Sequence, residues 1–261
     1  MDLIFDTHAH YDDEAFNEDR EELLSGLFGN GVGTIVDISA NFEGIPDVLA
    51  LAEKYDFLYA AVGVHPSEVY DLADRDIDRV EQYAVSGKKV VAVGEIGLDY
   101  HYPDTDKEKQ QKWFAMQIDL AKRIGLPIVV HSRDAAKDTL DMIRAEGAKE
   151  TGGVIHCFSY EWEMAKLYLD MGFYIGIGGV VTFKKSRKLK EIAEKIPMEQ
   201  LLLETDCPYL APEPFRGRRN NSSLLRYVVE TIAELRNMDP EDVIRITAEN
   251  ARRFYRIQEQ K

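Results

Sequence analysis

Short β-rich runs recur along this chain with helical patterns between them, and that alternation limits the fold more than any other feature. The runs are LIFDTHA, GTIVDIS, LYAAVGVH, VVAVGEIG, PIVVHS, GVIHCF, FYIGIGG and LLLETDC. Between them lie stretches such as EAFNEDREELLSGLF, KEKQQKWFAMQIDLAKRI and DAAKDTLDMIRAEG, whose apolar residues recur at three and four. Gly125-Leu126-Pro127 stops a helix and enters a strand, and Asp239-Pro240-Glu241-Asp242 opens a last helix with a cap, an N1 proline and an acidic turn. Eight strand–helix units in 261 residues average about 33 each, as a (β/α)8 barrel requires. An open doubly wound sheet is the competing architecture. It would normally carry a Gly-rich phosphate turn after the first strand, where this chain has two histidines. No linker or low-complexity segment interrupts the pattern, so residues 1–261 are expected to form a single-domain α/β TIM barrel.

In such a barrel the strand C-termini converge on one face, and polar residues there come together from distant parts of the chain. Strand one ends with His8 and His10, which share a face because strand side chains alternate. Strand four offers Glu95, strand five His131, strand six His156 and strand eight Asp206. The same alternation puts Val91 and Val93 on the face of Glu95, and Leu202 and Glu204 on the face of Asp206. Buried charged groups without partners cost several kcal/mol. Divalent metal ions are the economical compensation for such a set. Glu95 can bridge two ions: His8, His10, Glu95 and Asp206 would hold one, and Glu95, His131 and His156 the second. Two-metal sites set the ions about 3.5–4 Å apart, where they activate water and clamp a phosphoryl or acyl oxygen. The expected chemistry is hydrolysis at the C-terminal face of the strands.

The motifs DTHAH, GVHP, GEIGLDY, HSRD, HCF, TFK and ETDCPYLAP…RGRRN run through essentially the whole chain. In order and spacing they resemble the TatD-type metal-dependent hydrolases and deoxyribonucleases, a branch of the amidohydrolase-like barrel enzymes. The resemblance implies a Mg²⁺-, Mn²⁺- or Zn²⁺-dependent nuclease, a 3′→5′ exonuclease on DNA, with some relatives linked to D-aminoacyl-tRNA deacylation. The implied metal ligands fall on the six residues already named. One departure is visible: after RGRRN many members have Glu-Pro, whereas this chain has Asn221-Ser222-Ser223. The expected mechanism is phosphodiester hydrolysis, with Glu95 and Asp206 as catalytic carboxylates and Asp206 as general base.

The formal charge of −15 excludes a protein that coats nucleic acid non-specifically. Basic residues cluster in FKKSRKLK after strand seven and FRGRRNN after strand eight, both rising from the expected catalytic face. A DNA or other phosphodiester substrate would meet Lys184, Arg133, Arg216 and Arg218 there. His65 of GVHP is expected to contact a phosphate or leaving group, and His101 to pack its loop. Tyr100, Tyr102, Tyr160, Trp162 and Tyr209 sit near strand exits, where aromatics stack on bases or close loops over the core. Asp6 and Glu204 share the ligands' alternation one layer down and are expected to orient imidazoles. Cys157 and Cys207 alternate with His156 and Asp206, so they are expected to face the helix layer as small core residues.

No signal peptide or membrane span is apparent, so a cytoplasmic protein is the expectation, and no obligate protein partner is evident. A metal-dependent deacylase, lactonase or amidohydrolase is the main rival reading. Larger amidohydrolases add a β-domain from the chain flanks, for which His8 leaves no room, and many carry a carboxylated lysine where this chain has Glu95. A non-catalytic metal-binding module is the remaining alternative.

Overall fold

In the computed structural model, which describes residues 2–258, eight parallel strands follow one another in chain order around one sheet. They are β1 (Ile4–Ala9), β2 (Val32–Ile38), β3 (Leu58–Val62), β4 (Val90–Asp99), β5 (Ile128–Arg133), β6 (Gly153–Ile155), β7 (Tyr174–Ile177) and β8 (Leu201–Leu203). The ring is drawn together beyond the end of β8. There the Asp206 amide donates to the His8 carbonyl and the His10 amide to the Cys207 carbonyl, each at 2.9 Å. The helices are α1 (Arg20–Gly26), α2 (Ile45–Lys54), α3 (Ile77–Ser86), α4 (Lys107–Ile124), α5 (Ala136–Ala145), α6 (Trp162–Leu169), α7 (Arg187–Lys195), α8 (Leu225–Arg236) and α9 (Pro240–Tyr255). This is the (β/α)8 barrel that the alternation predicts, and the open doubly wound sheet is set aside. No helix among the described residues is long and apolar enough to cross a membrane.

Local sequence explains most helix boundaries. Asp106 accepts from the Lys109 amide at 3.0 Å to open α4, and Gly125, at φ 71°, ends it. α1 is much shorter than the periodicity of EAFNEDREELLSGLF predicts. Arg20 gathers the Asp12 and Asp13 carbonyls and the Asn17 side chain, which holds the approach to the helix as turns around a short 3-10 segment, Glu14–Phe16.

Strand alternation sorts the core into two layers. Leu201 and Leu203 pack with the helix-side cluster, whereas Leu202 joins a second cluster with Phe5, Val36, Val129 and Val154 from other strands. That inner cluster is completed by Ala251, Phe254 and Tyr255 of α9. The end of α9 bonds to the entrances of the strands, with Asn250 donating to the Leu201 carbonyl at 2.9 Å and Arg256 to the Gly125 carbonyl at 2.8 Å. α9 therefore closes the N-terminal end of the barrel. Burying each of its two aromatic side chains contributes roughly 1.5–3 kcal/mol.

The expected alternation fails at two places, and the pairing register shows why. Val93 packs in the helix-side cluster, not on the face of Glu95, because the β4–β5 register shifts between Val93 and Ile96. The β1–β2 register shifts between Asp6 and Ala9, which separates Asp6 from the histidines that follow. Irregularities of this kind re-aim side chains next to active sites.

Candidate metal centre

At the C-terminal mouth the six expected ligands come together. The Nε2 atoms of His8 and His10 lie 3.1 Å apart, and Glu95 Oε2 is 3.3 Å from His8 Nε2 and 3.8 Å from His10 Nε2. The other oxygen, Glu95 Oε1, lies 2.8 Å from His131 Nδ1 and 3.7 Å from His156 Nε2. Asp206 Oδ1 faces three imidazoles: His10 at 3.4 Å, His156 at 3.6 Å and His8 at 3.7 Å. Three of the residues sit just past their strands, His10 after β1, His156 after β6 and Asp206 after β8. Asp206 adopts φ 57°, in the left-handed region that aspartate tolerates better than most residues. That turn aims its carboxylate back over the barrel.

The outer ring nitrogens decide what the inner ones can do. His10 Nδ1 donates to the Ile38 carbonyl at 2.7 Å, and His131 Nε2 donates to Asp99 Oδ2 at 3.0 Å. His156 Nδ1 lies 3.2 Å from Glu204 Oε2, a contact without hydrogen-bond geometry. Partners of this kind fix the tautomer and leave the inner nitrogen's lone pair facing the carboxylates. A lone pair against a carboxylate oxygen at 2.8 Å requires a cation between them, a proton or a metal ion. The donor set of imidazole nitrogens and carboxylate oxygens thus fits divalent metal. His8, His10 and Glu95 form one group whose ligand atoms lie within 4.8 Å of one another, and His65, Glu95 and His131 form another.

Electrostatics point the same way. Burial opposes charge on His10, yet the carboxylates of Asp206, Glu95 and Asp12 outweigh it and raise the ring to about 10. His156 rises to about 9 against the same burial, under Glu204, Glu95 and Asp206. Burial would raise Glu95, but His156, His8 and His131 hold it well below the ordinary carboxylate range. In this cluster, protons stand where metal cations would.

His65 reaches the same mouth, with Nε2 4.0 Å from Glu95 Oε1. Its Nδ1 accepts from the Ser67 amide at 3.1 Å, so the neutral ring carries its proton on Nε2. Burial and the neighbouring His131 ring hold it neutral, down at about 3. Asp99, the partner of His131, is a site residue that the motif reading passes over. It shares the face of Glu95 four positions on, and that alternation was the available signal.

The remaining candidates divide. Arg133 lines a cavity of about 720 Å³ over the ligands, together with His65, Asp99, Tyr102 and Tyr209. Lys184 is exposed and lines neither this cavity nor its neighbour, whereas Lys185, Arg187 and Lys188 line the neighbour. Arg216 stacks on Phe183 and Arg218 lies near Phe215, both away from these cavities. Glu204 sits against His156 and also accepts from the Cys157 amide at 2.6 Å. Asp6 meets the histidines through backbone, accepting from the His8 amide at 3.3 Å. It accepts from Thr205 Oγ1 and Ser222 Oγ, each at 2.7 Å, and so joins β1 to the segment carrying Asp206. Ser222, in the departing Asn221-Ser222-Ser223 stretch, is therefore buried structure at this seam. Cys157 adopts φ 46° and lines the mouth, which corrects the expectation that it faces the helices, while Cys207 is buried core. On the opposite flank, Asp12, Asp13, Glu14, Glu43 and Asp47 line an acidic cavity of about 480 Å³ that begins at His10.

A (β/α)8 barrel with this histidine–carboxylate cluster at its C-terminal mouth has the form of a metal-dependent hydrolase. Residues 5–256 match the family described as TatD related DNase. The metal-dependent hydrolase YabD of Bacillus subtilis is 43% identical over 255 residues, covering 98% of this chain and all of that protein. The metal-dependent hydrolase TatD of Mycobacterium tuberculosis is 40% identical over 97% of each chain. The crystal structure of YjjV, a TatD homologue from Escherichia coli, superposes with a TM-score of 0.92 at 34% identity, covering 98% of both chains. The chain belongs to the TatD family of metal-dependent hydrolases.

Proposed function

We propose that this protein hydrolyses phosphodiester bonds in DNA, removing nucleotides from a 3′ end. Two divalent ions would be held by His8, His10, Glu95, His131, His156 and Asp206. The observation that carries the reading is the division at Glu95, one oxygen facing His8 and His10 and the other facing His131 and His156. Bound divalent ions supply charge neutralisation at phosphoryl oxygens and a water acidified toward neutral pH.

The chain's own groups do the rest. Asp206 has the most exposed side chain of the two ligand carboxylates, at 19%, and its neighbouring imidazoles keep it ionised against burial. It accepts the proton of the attacking water as general base. His65 presents Nε2–H to a phosphate or leaving-group oxygen, and Arg133 meets the backbone at the rim. The acidic cavity beside His10 repels a polyanion on the β1–β2 flank, whereas Arg133, Lys185 and Arg187 attract it on the other. A strand admitted from one side ends at the metal centre, which supports cleavage at a terminus.

The test is to incubate metal-reconstituted protein with 3′-labelled single-stranded DNA, in parallel with lactone, amide and aminoacyl-ester panels. Metal-dependent release of labelled mononucleotide is expected. Intact DNA alongside turnover of a lactone or aminoacyl ester would sink the reading and favour a deacylase.

A further inference from the structure

Beside Asp206, on the β6–β7–β8 side, lies a second cavity of about 420 Å³. Its volume falls in the range of small-molecule sites. Phe158, Val180, Leu189 and Leu210 give it apolar walls, and Gly176 and Gly178 add backbone. Cys157, Ser159, Val180, Asp206 and Leu210 line this cavity and the one over the metal ligands alike, so the two are continuous.

Two features of its rim are unfavourable in the free protein. Leu210 is 38% exposed and holds φ 54°, a conformation that a bulky side chain rarely adopts and that clusters at ligand-binding positions. Beside it Tyr209 is 56% exposed. The second feature is charge. α7 opens on Arg187 and Lys188 with no acidic residue in its first turn, so cations stand at the positive end of the helix dipole. Lys188 pairs with Glu161, but the side chains of Lys185 and Arg187 make no ion pair among the described residues. A ligand with an apolar flat body and an anionic group would relieve both.

We propose that this cavity binds the nucleobase of the nucleotide unit joined to the scissile phosphate. The base lies against Phe158, Val180, Leu189 and Leu210, and the adjoining phosphate faces Lys185 and Arg187. Placing the scissile phosphate at Asp206 rests on the phosphodiesterase reading. The apolar walls and cationic rim, by contrast, select an aromatic anion by themselves.

The experiment compares calorimetric titrations of the metal-loaded protein with deoxyadenosine 5′-monophosphate and with deoxyribose 5-phosphate, which lacks the base. Base stacking and burial should make the nucleotide bind about tenfold tighter or more. Val180→Phe, which fills the cavity, should bring that ratio to near one while the sugar phosphate binds within about twofold of its original affinity. Leu210→Gly removes a wall and relaxes the left-handed backbone, so it tests the same point should Val180→Phe fail to fold. Equal affinities in the unaltered protein, or a ratio that both variants leave untouched, would overturn the assignment. Hydrolysis of methyl p-nitrophenyl phosphate is measured in parallel. Turnover together with a ratio of one overturns the cavity's role and leaves the reaction standing. No turnover, with a ratio that both variants abolish, supports the cavity and overturns the phosphodiesterase reading.

Discussion

Metal uptake by this protein should expel about two protons per chain at pH 7.5. His10 is raised to about 10 and His156 to about 9, in each case by carboxylates that outweigh burial. At pH 7.5 both rings are therefore more than about nine-tenths protonated. A ring must lose that proton before its nitrogen can ligate. Glu95 and Asp206, held below the usual carboxylate range, have no proton to give. The assay is calorimetric titration of metal-stripped protein with Mn²⁺ at one pH in buffers of different ionisation enthalpy. The slope of observed heat against buffer enthalpy is the number of protons released. It should be about two at pH 7.5 and decline to about one and a half near pH 9 as His156 deprotonates on its own.

The same shifts fix a sign for stability. A histidine raised on folding stabilises fully below its unfolded value near 6.5, and loses that contribution as pH rises through its folded value. Each pH unit between the two values corresponds to about 1.4 kcal/mol, so His10 ties several kcal/mol of metal-free stability to its proton. Metal-free protein should melt progressively lower between pH 7 and 10, and metal-loaded protein less so. Burial also raises Cys157, Cys207, Tyr11 and Tyr255, which adds an alkaline loss common to both forms, so the difference between them is the reading. A binding heat independent of buffer at pH 7.5 would refute the reasoning, because the rings would then be neutral before metal arrives.

Three further outcomes are expected. Asp206→Asn should lower turnover by roughly 10²-fold or more, and near-intact activity would remove Asp206 from the role of base. Asp99→Ala takes away the acceptor 3.0 Å from His131 Nε2 and should weaken metal affinity or activity about 10- to 100-fold; metal titration of the variant checks it, and unchanged affinity would leave Asp99 without a positioning role. Phe254→Ala should cost about 3–5 kcal/mol in denaturant unfolding, because its ring completes the inner cluster at the closed end of the barrel.

How far the sequence could be read follows from where backbone register holds. Strand alternation identified the ring of eight strands and brought His8, His10, Glu95, His131, His156 and Asp206 to one mouth, because strand ends converge whatever the loops do. Glu204 was legible for the same reason, sharing its face with Leu202. Asp6 was misplaced because the alternation was carried across a register shift that no residue type announces. Asp99 was missed for the opposite reason: β4 runs to Asp99 itself, two residues beyond the run VVAVGEIG, so the face of Glu95 extends to it. Cys157 turned the other way because two residues past β6 the backbone enters the left-handed region, and period two no longer applies. The basic run after β7 shows the same limit. Its composition indicated cations at the mouth, but a 3-10 turn over Gly179–Thr182 sets which of them face inward, and the choice falls on Lys185 and Arg187 rather than Lys184. The residues that are candidate metal ligands lie in strands or within a few residues of their ends and are readable from spacing. Those that would choose a substrate hang on turns whose phase is set by tertiary contact, so relatives can share the metal cluster and still differ in what they cut.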